Sequence, residues 1–110
     1  MSAETDRLSQ ELRDKIKAEY AEFMQDLKAK SREEIIEMSY ETDWKESISM
    51  YIERERLGLT ESQYNALLSS KNALGEIYAD WISNGFLETY QDLGQSIRDT
   101  ADAILVSMSR

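Results

Sequence analysis

The sequence predicts an all-α fold, a compact single-domain helical bundle of five to six helices. Three observations predict it. Apolar residues recur at steps of three and four through most of the 110 residues, the signature of amphipathic helices. Proline is absent and glycine occurs only four times, so few residues interrupt a helix. No stretch alternates apolar and polar residues for the length of a strand. One domain is the expected count at this length, covering residues 1–110 with a frayed N-terminus over about residues 1–6.

Leu8, Leu12, Ile16, Tyr20, Phe23 and Leu27 form the first stripe and predict a helix from about Thr5 to Ala29. Glu11/Lys15 and Asp26/Lys30 support it as acid-then-base pairs at i, i+4. Ser31 followed by Glu34 reads as a capping box that starts a second helix, with Ile35 and Ile36 opening its stripe. Between Tyr40 and Trp44 the pattern loses phase, and Asp43 with Glu46 offers another capping box ahead of Ile48, Tyr51 and Ile52. A short helix, a kink and a third helix ending near Arg56 follow from this. Gly58 is placed to take the left-handed conformation that ends helices. Thr60 with Gln63 is the clearest capping box in the chain and opens a fourth helix carrying Tyr64, Leu67 and Leu68. Asn72 is the expected N-cap of the next helix, with Leu74, Ile77, Tyr78, Trp81 and Ile82 on one face. Ser83-Asn84-Gly85 signals a turn, and the last helix carries Phe86, Tyr90, Leu93, Ile97, Ala101 and Ile104. Trp81 and Leu93 are expected in the core.

Composition narrows function. The chain has 13 Lys plus Arg and 22 Asp plus Glu, a net charge of 13 − 22 = −9, and neither Cys nor His. The side chain that titrates near neutral pH, the commonest metal ligand and the thiolate nucleophile are therefore missing. The four glycines are scattered singly, unlike a phosphate-binding loop. Glu33, Glu34 and Glu37 lie close in sequence but lack the alternating oxygen ligands of a calcium loop. A non-enzymatic protein without cofactor or metal is the expectation. No apolar run nears 20 residues and no charged-then-apolar leader follows Met1, so a cytoplasmic protein without a membrane partner is expected.

Charge is distributed unevenly. Residues 1–56 hold 15 acids and 10 bases, whereas residues 57–110 hold 7 acids and 3 bases, and no base occurs from Asn72 to Ile97. At 100° per residue Glu88, Asp92, Asp99 and Asp102 fall within about 80° of one another, opposite the apolar stripe of the last helix. Glu76 and Asp80 likewise oppose Leu74, Ile77, Tyr78 and Trp81. These six carboxylates are the candidate partner-binding residues. Direct binding to nucleic acid is disfavoured by charge repulsion. An acidic face suits instead a basic groove built for nucleic acid, because carboxylates one helical turn apart sit about 5–6 Å from each other, near the spacing of successive phosphates. The alternative is a solvated face that serves solubility alone. Leu87, Leu105 and Met108 fall at the flank of the last stripe and suggest a homodimer contact.

The runs Tyr40-Glu41-Thr42, Lys45-Glu46-Ser47-Ile48, Leu59-Thr60-x-x-Gln63-x-x-Ala66-Leu67-Leu68, Ala73-Leu74-x-x-Ile77-Tyr78 and Ile97-Arg98 together resemble an uncharacterised family of short helical domains of unknown function from Firmicutes mobile elements. The resemblance covers about Leu12 to Ile104, and its most specific part is Leu59 to Leu68. It departs at Lys30-Ser31-Arg32, where the family commonly carries prolines. The resemblance implies no catalytic residues. It implies a mobile-element or phage context, in which short acidic helical proteins block host nucleases. Joined to the charge argument, it gives the expected function: an anti-defence, anti-CRISPR-like inhibitor that binds an RNA-guided nuclease and blocks its nucleic-acid-binding surface. The alternative is a structural or regulatory protein-binding module of a mobile element.

Overall fold

Helix α1 (Ala3–Lys28) is the longest element, about 39 Å at 1.5 Å per residue. Leu8, Leu12, Ile16 and Leu27 are its buried residues, and the stripe lies against α3 (Ser39–Arg54), α4 (Glu61–Ser69) and α5 (Ala73–Ser83). The short α2 (Arg32–Glu37) packs on α3, while α6 (Leu93–Met108) packs on α4, α5 and α3. This computed structural model describes residues 3–83 and 90–109. Among the described residues there are six α-helices, one 3-10 turn at Tyr90–Asp92 and no strand. The predicted turn residues Asn84 and Gly85, together with Phe86, Leu87 and Glu88, lie outside the described residues.

The core is built where the stripes meet. Leu12, Ile16, Ile48, Ile52, Leu67, Leu74, Ile77, Trp81, Leu93 and Ile97 are each at most 2% exposed. Trp81 of α5 packs on Trp44 of α3 with ring centroids 4.6 Å apart. Tyr51 of α3 packs on Tyr90 at 5.1 Å. The Tyr51 hydroxyl also occupies the space that a side chain at position 94 would need: a Cβ on Gly94 would lie 2.5 Å from it. Any larger residue at 94 would oblige the Tyr51 ring to shift, so glycine suits the close approach of α6 to α3.

Local caps fix the element starts. Ser31 Oγ accepts from the Glu34 amide at 3.2 Å and the Glu34 carboxylate accepts from the Ser31 amide at 3.3 Å, a complete capping box. Thr60 and Gln63 form the second one, at 3.1 and 2.9 Å. Gly58 has φ 66°, the left-handed conformation expected of it.

Helix α5 is capped from two sides. Asn72 Oδ1 accepts from the Gly75 amide at 3.0 Å, and Glu19 of α1 accepts from the Leu74 amide at 2.7 Å and the Ala73 amide at 3.2 Å. The open N–H groups of that helix are thereby satisfied.

Two boundaries differ from the sequence pattern. The break expected at Asp43 occurs at Met38, and α3 runs unbroken through Asp43. The reason is tertiary. Trp44 must face Trp81, and Lys45 must place its ammonium 4.1 Å above the Phe23 ring and 2.7 Å from Glu41, which requires helix through 43–46 in preference to a local cap. At the other end, Tyr90 belongs to the 3-10 turn, so the α-helical part of the last stripe starts at Leu93. The tighter turn holds the Tyr90 ring on Tyr51.

The Ser31 box carries a pH dependence. Hydrogen bonding from the Ser31 hydroxyl and then the Ser31 amide holds the Glu34 carboxyl below the usual glutamate range. A depressed folded-state value means that the contribution is present above the unfolded value and is lost as pH falls through the folded one. The start of α2 is expected to fray on acidification, with Glu34 titrating below an ordinary exposed glutamate in a carboxyl-detected NMR titration.

Candidate functional site

The sequence singles out six carboxylates, and five of them are described. Glu76 is exposed on α5, and its Oε2 accepts from the Ser70 hydroxyl at 2.9 Å. Asp80, one turn on, is half-buried. Both border a groove of about 390 Å³ between α5 and α6, floored by Ala79, Ala103, Ile104 and Met108. Asp92 is half-buried at the start of α6. Asp99 accepts from the Gln95 side-chain Nε2 at 2.8 Å, and Asp102 accepts from the side-chain Nε2 of Gln63 in α4 at 2.9 Å. Glu88 lies outside the described residues. Glu76 and Asp80 therefore share a groove, while Asp99 and Asp102 lie outside its lining and Asp102 turns toward α4.

Three of these acids differ in their partners from the acids of α1 and α3. The ion pairs of Arg7 with Glu4 and Glu11, Lys15 with Glu19, Lys17 with Glu53 and Lys45 with Glu41 all lie on α1 and α3. Glu76, Asp99 and Asp102 take hydrogen bonds from a hydroxyl and two carboxamides, which are neutral. Such bonds fix the carboxylates in place without cancelling their charge.

Other chemistry is sparse. Burial, with help from acidic neighbours, pushes the phenols of Tyr20, Tyr78 and Tyr90 above the usual tyrosine range, so they stay neutral in the physiological range. Among the described residues no group of three acids is placed to hold a metal ion. No helix among them is long and apolar enough to cross a membrane. Leu105, named for its place at the flank of α6, is half-buried, and Met108 is 60% exposed.

A family model described as a protein of unknown function, DUF3848, matches residues 8–105. The chain belongs to the DUF3848 family. The DUF3848 match opens on Leu8, the first buried residue of α1, and closes on Leu105 in α6, so it encloses the whole core and all six candidate carboxylates. The expectation of an uncharacterised family thus holds for this chain. No curated protein and no solved structure matches this DUF3848 domain.

One residue that the sequence did not single out, Glu19, has a structural role. Glu19 works across 54 and 55 positions of chain, capping α5 while pairing Lys15 at 3.1 Å. Nothing in the local pattern around an acid in mid-helix distinguishes that role from a solvated one.

Proposed function

We propose that this DUF3848 protein is a non-enzymatic interaction protein that docks its acidic α5–α6 side on the basic nucleic-acid groove of a partner protein. The partner class is an RNA-guided nuclease of the CRISPR type, and the bound protein blocks the surface that would hold guide RNA or DNA in the cytoplasm. The observation that supports the reading is the neutral pairing of Glu76, Asp99 and Asp102, in a half of the chain with seven acids and three bases. Attraction of this kind acts over about 8 Å at physiological salt and is screened beyond it, so association is steered by charge and weakens as salt rises.

The test is a DNA-cleavage assay with a panel of purified RNA-guided nucleases at two salt concentrations. Glu76→Lys, Asp99→Lys and Asp102→Lys together change the net charge by +6, from −9 to −3. Each exposed or partly exposed site is expected to move stability by less than about 1 kcal/mol. The wild type is expected to inhibit, less at high salt, and the triple variant to lose inhibition. Equal inhibition by both proteins, or inhibition of no nuclease, would sink the proposal.

A second reading, a structural or regulatory module acting as a homodimer, draws on the apolar end of α6, where Val106 is 55% and Met108 60% exposed. Sedimentation of the same samples separates the two: a dimer unaffected by the triple variant favours the second.

A further inference from the structure

Away from the acidic side, three arginines from three elements meet at one concavity. Arg13 of α1, Arg54 in the last turn of α3 and Arg56 in the linker to α4 line a cavity of about 310 Å³ together with Ser9 and Tyr64. Arg13 is anchored, its Nε donating to the Ile52 carbonyl at 3.3 Å. Arg54 and Arg56 are exposed, and among the described residues neither forms an ion pair. Acids outnumber bases by nine in this chain, and the other cations on neighbouring turns of α1, Arg7, Lys15 and Lys17, are each matched to a glutamate.

Part of the arrangement has a structural purpose. Cations near the end of α3 complement its last carbonyls, and the Arg13 bond to Ile52 does so directly. The bond accounts for one guanidinium nitrogen of the three side chains. Asp6 and Glu55 also line the cavity, so its balance is three positive charges against two negative ones, a net positive spot on a protein of charge −9. Gly58 forms part of the wall, and nothing lies within 4 Å of where its Cβ would be, which leaves that side open.

We infer that this cavity binds the phosphate group of a small molecule. Guanidinium forks match phosphate oxygens, and a dianion calls for more than one of them. The volume lies at the lower end of the range for small-ligand sites. Size is limited by the field of the whole protein. A nucleic-acid strand would lay further phosphates along an acidic surface, whereas a small ester presents its charge to the arginines, within about one Debye length. The site is separate from the acidic α5–α6 side and stands or falls independently of it.

The test is titration of the full chain with inorganic phosphate, pyrophosphate, adenosine 5′-monophosphate and a ten-nucleotide single strand, followed by calorimetry and by amide NMR. Saturable one-to-one binding of at least one of the three small probes is expected, with shifts at Ser9–Arg13 and at residues 54–59. The Arg54→Gln/Arg56→Gln variant is expected to bind at least tenfold more weakly with a Tm lowered by only a few degrees, the loss of their complement to the α3 carbonyls, since both side chains are exposed and unpaired. Adenosine monophosphate binding more tightly than phosphate identifies an ester as the natural ligand, and equal affinities identify the free anion; both support the site. No saturable binding of a small probe, shifts confined to other regions, an unaffected double variant, or tighter binding of the oligonucleotide than of the monophosphate would each overturn it.

Discussion

Trp81→Ala is expected to lower the stability of the domain by about 3–5 kcal/mol, the range for truncating a buried aromatic side chain. Trp81 is 2% exposed and its ring packs on Trp44 of α3, so the change opens a cavity between α5 and α3. The surroundings have little freedom to fill it. Ile77, Leu74 and Ile48 are already at 0–1% exposure, and collapse onto the gap would drag whole helices. Against the roughly 5–15 kcal/mol typical of a domain, such a loss leaves a measurable unfolded population at ordinary temperature. Urea denaturation followed by circular dichroism checks it, since the variant also removes a fluorophore. A loss under about 1 kcal/mol would mean that the α3–α5 contact is not as close as described. Trp44→Ala, at a half-buried site, is expected to cost less.

The second large effect is expected from Glu19→Ala, at about 2–4 kcal/mol. Its carboxylate caps the amides of Ala73 and Leu74, residues that are 0% and 1% exposed, and it pairs Lys15. Removing it leaves two backbone donors without a partner in a place where water reaches poorly, each worth about 1–3 kcal/mol, and strands the Lys15 ammonium. Asn72 still accepts from Gly75, so α5 is expected to fray at its first turn and not to melt. Glu19→Gln keeps one acceptor oxygen and is expected to recover part of the loss. Native-state hydrogen exchange at Leu74 gives the local readout: protection should fall sharply in Glu19→Ala, and undiminished protection would refute the cap.

These two residues also mark what can be read from the chain and what cannot. Trp81 and Leu93 were legible because a stripe at steps of three and four is a local signal, and both are in the core as expected. The two capping boxes were legible for the same reason, each being complete within four residues. Glu19 was not, because the amides it caps are more than 50 positions away. The Asp43 boundary failed where a plausible local cap competed with the Trp44 and Lys45 contacts, and the long-range contacts decided the helix. Of the candidate site, the alignment of Asp99 and Asp102 on one side of α6 follows from the helical period, but the turn of Asp102 toward Gln63 needed α4 to be placed first. The arginine cavity had no linear signature at all. Arg13 stands 41 positions before Arg54, and only the packing of α1 on α3 unites them.

The long first helix has a consequence for synthesis. Its apolar stripe is covered by α3, α4 and α5, yet α1 leaves the ribosome before all three of them. Between the appearance of Leu27 and that of Leu74 about 50 residues must be added, roughly 3–10 s at ordinary elongation rates. For much of that interval Leu8, Leu12 and Ile16 lack their native partners from α4 and α5, and an amphipathic helix with a partly bare apolar face has to wait for them. The heavy charge on the rest of α1, including the Arg7 and Lys15 pairs with glutamates one turn away, then acts as insulation: it stabilises the helix locally and keeps nascent chains apart until the later helices arrive to cover it.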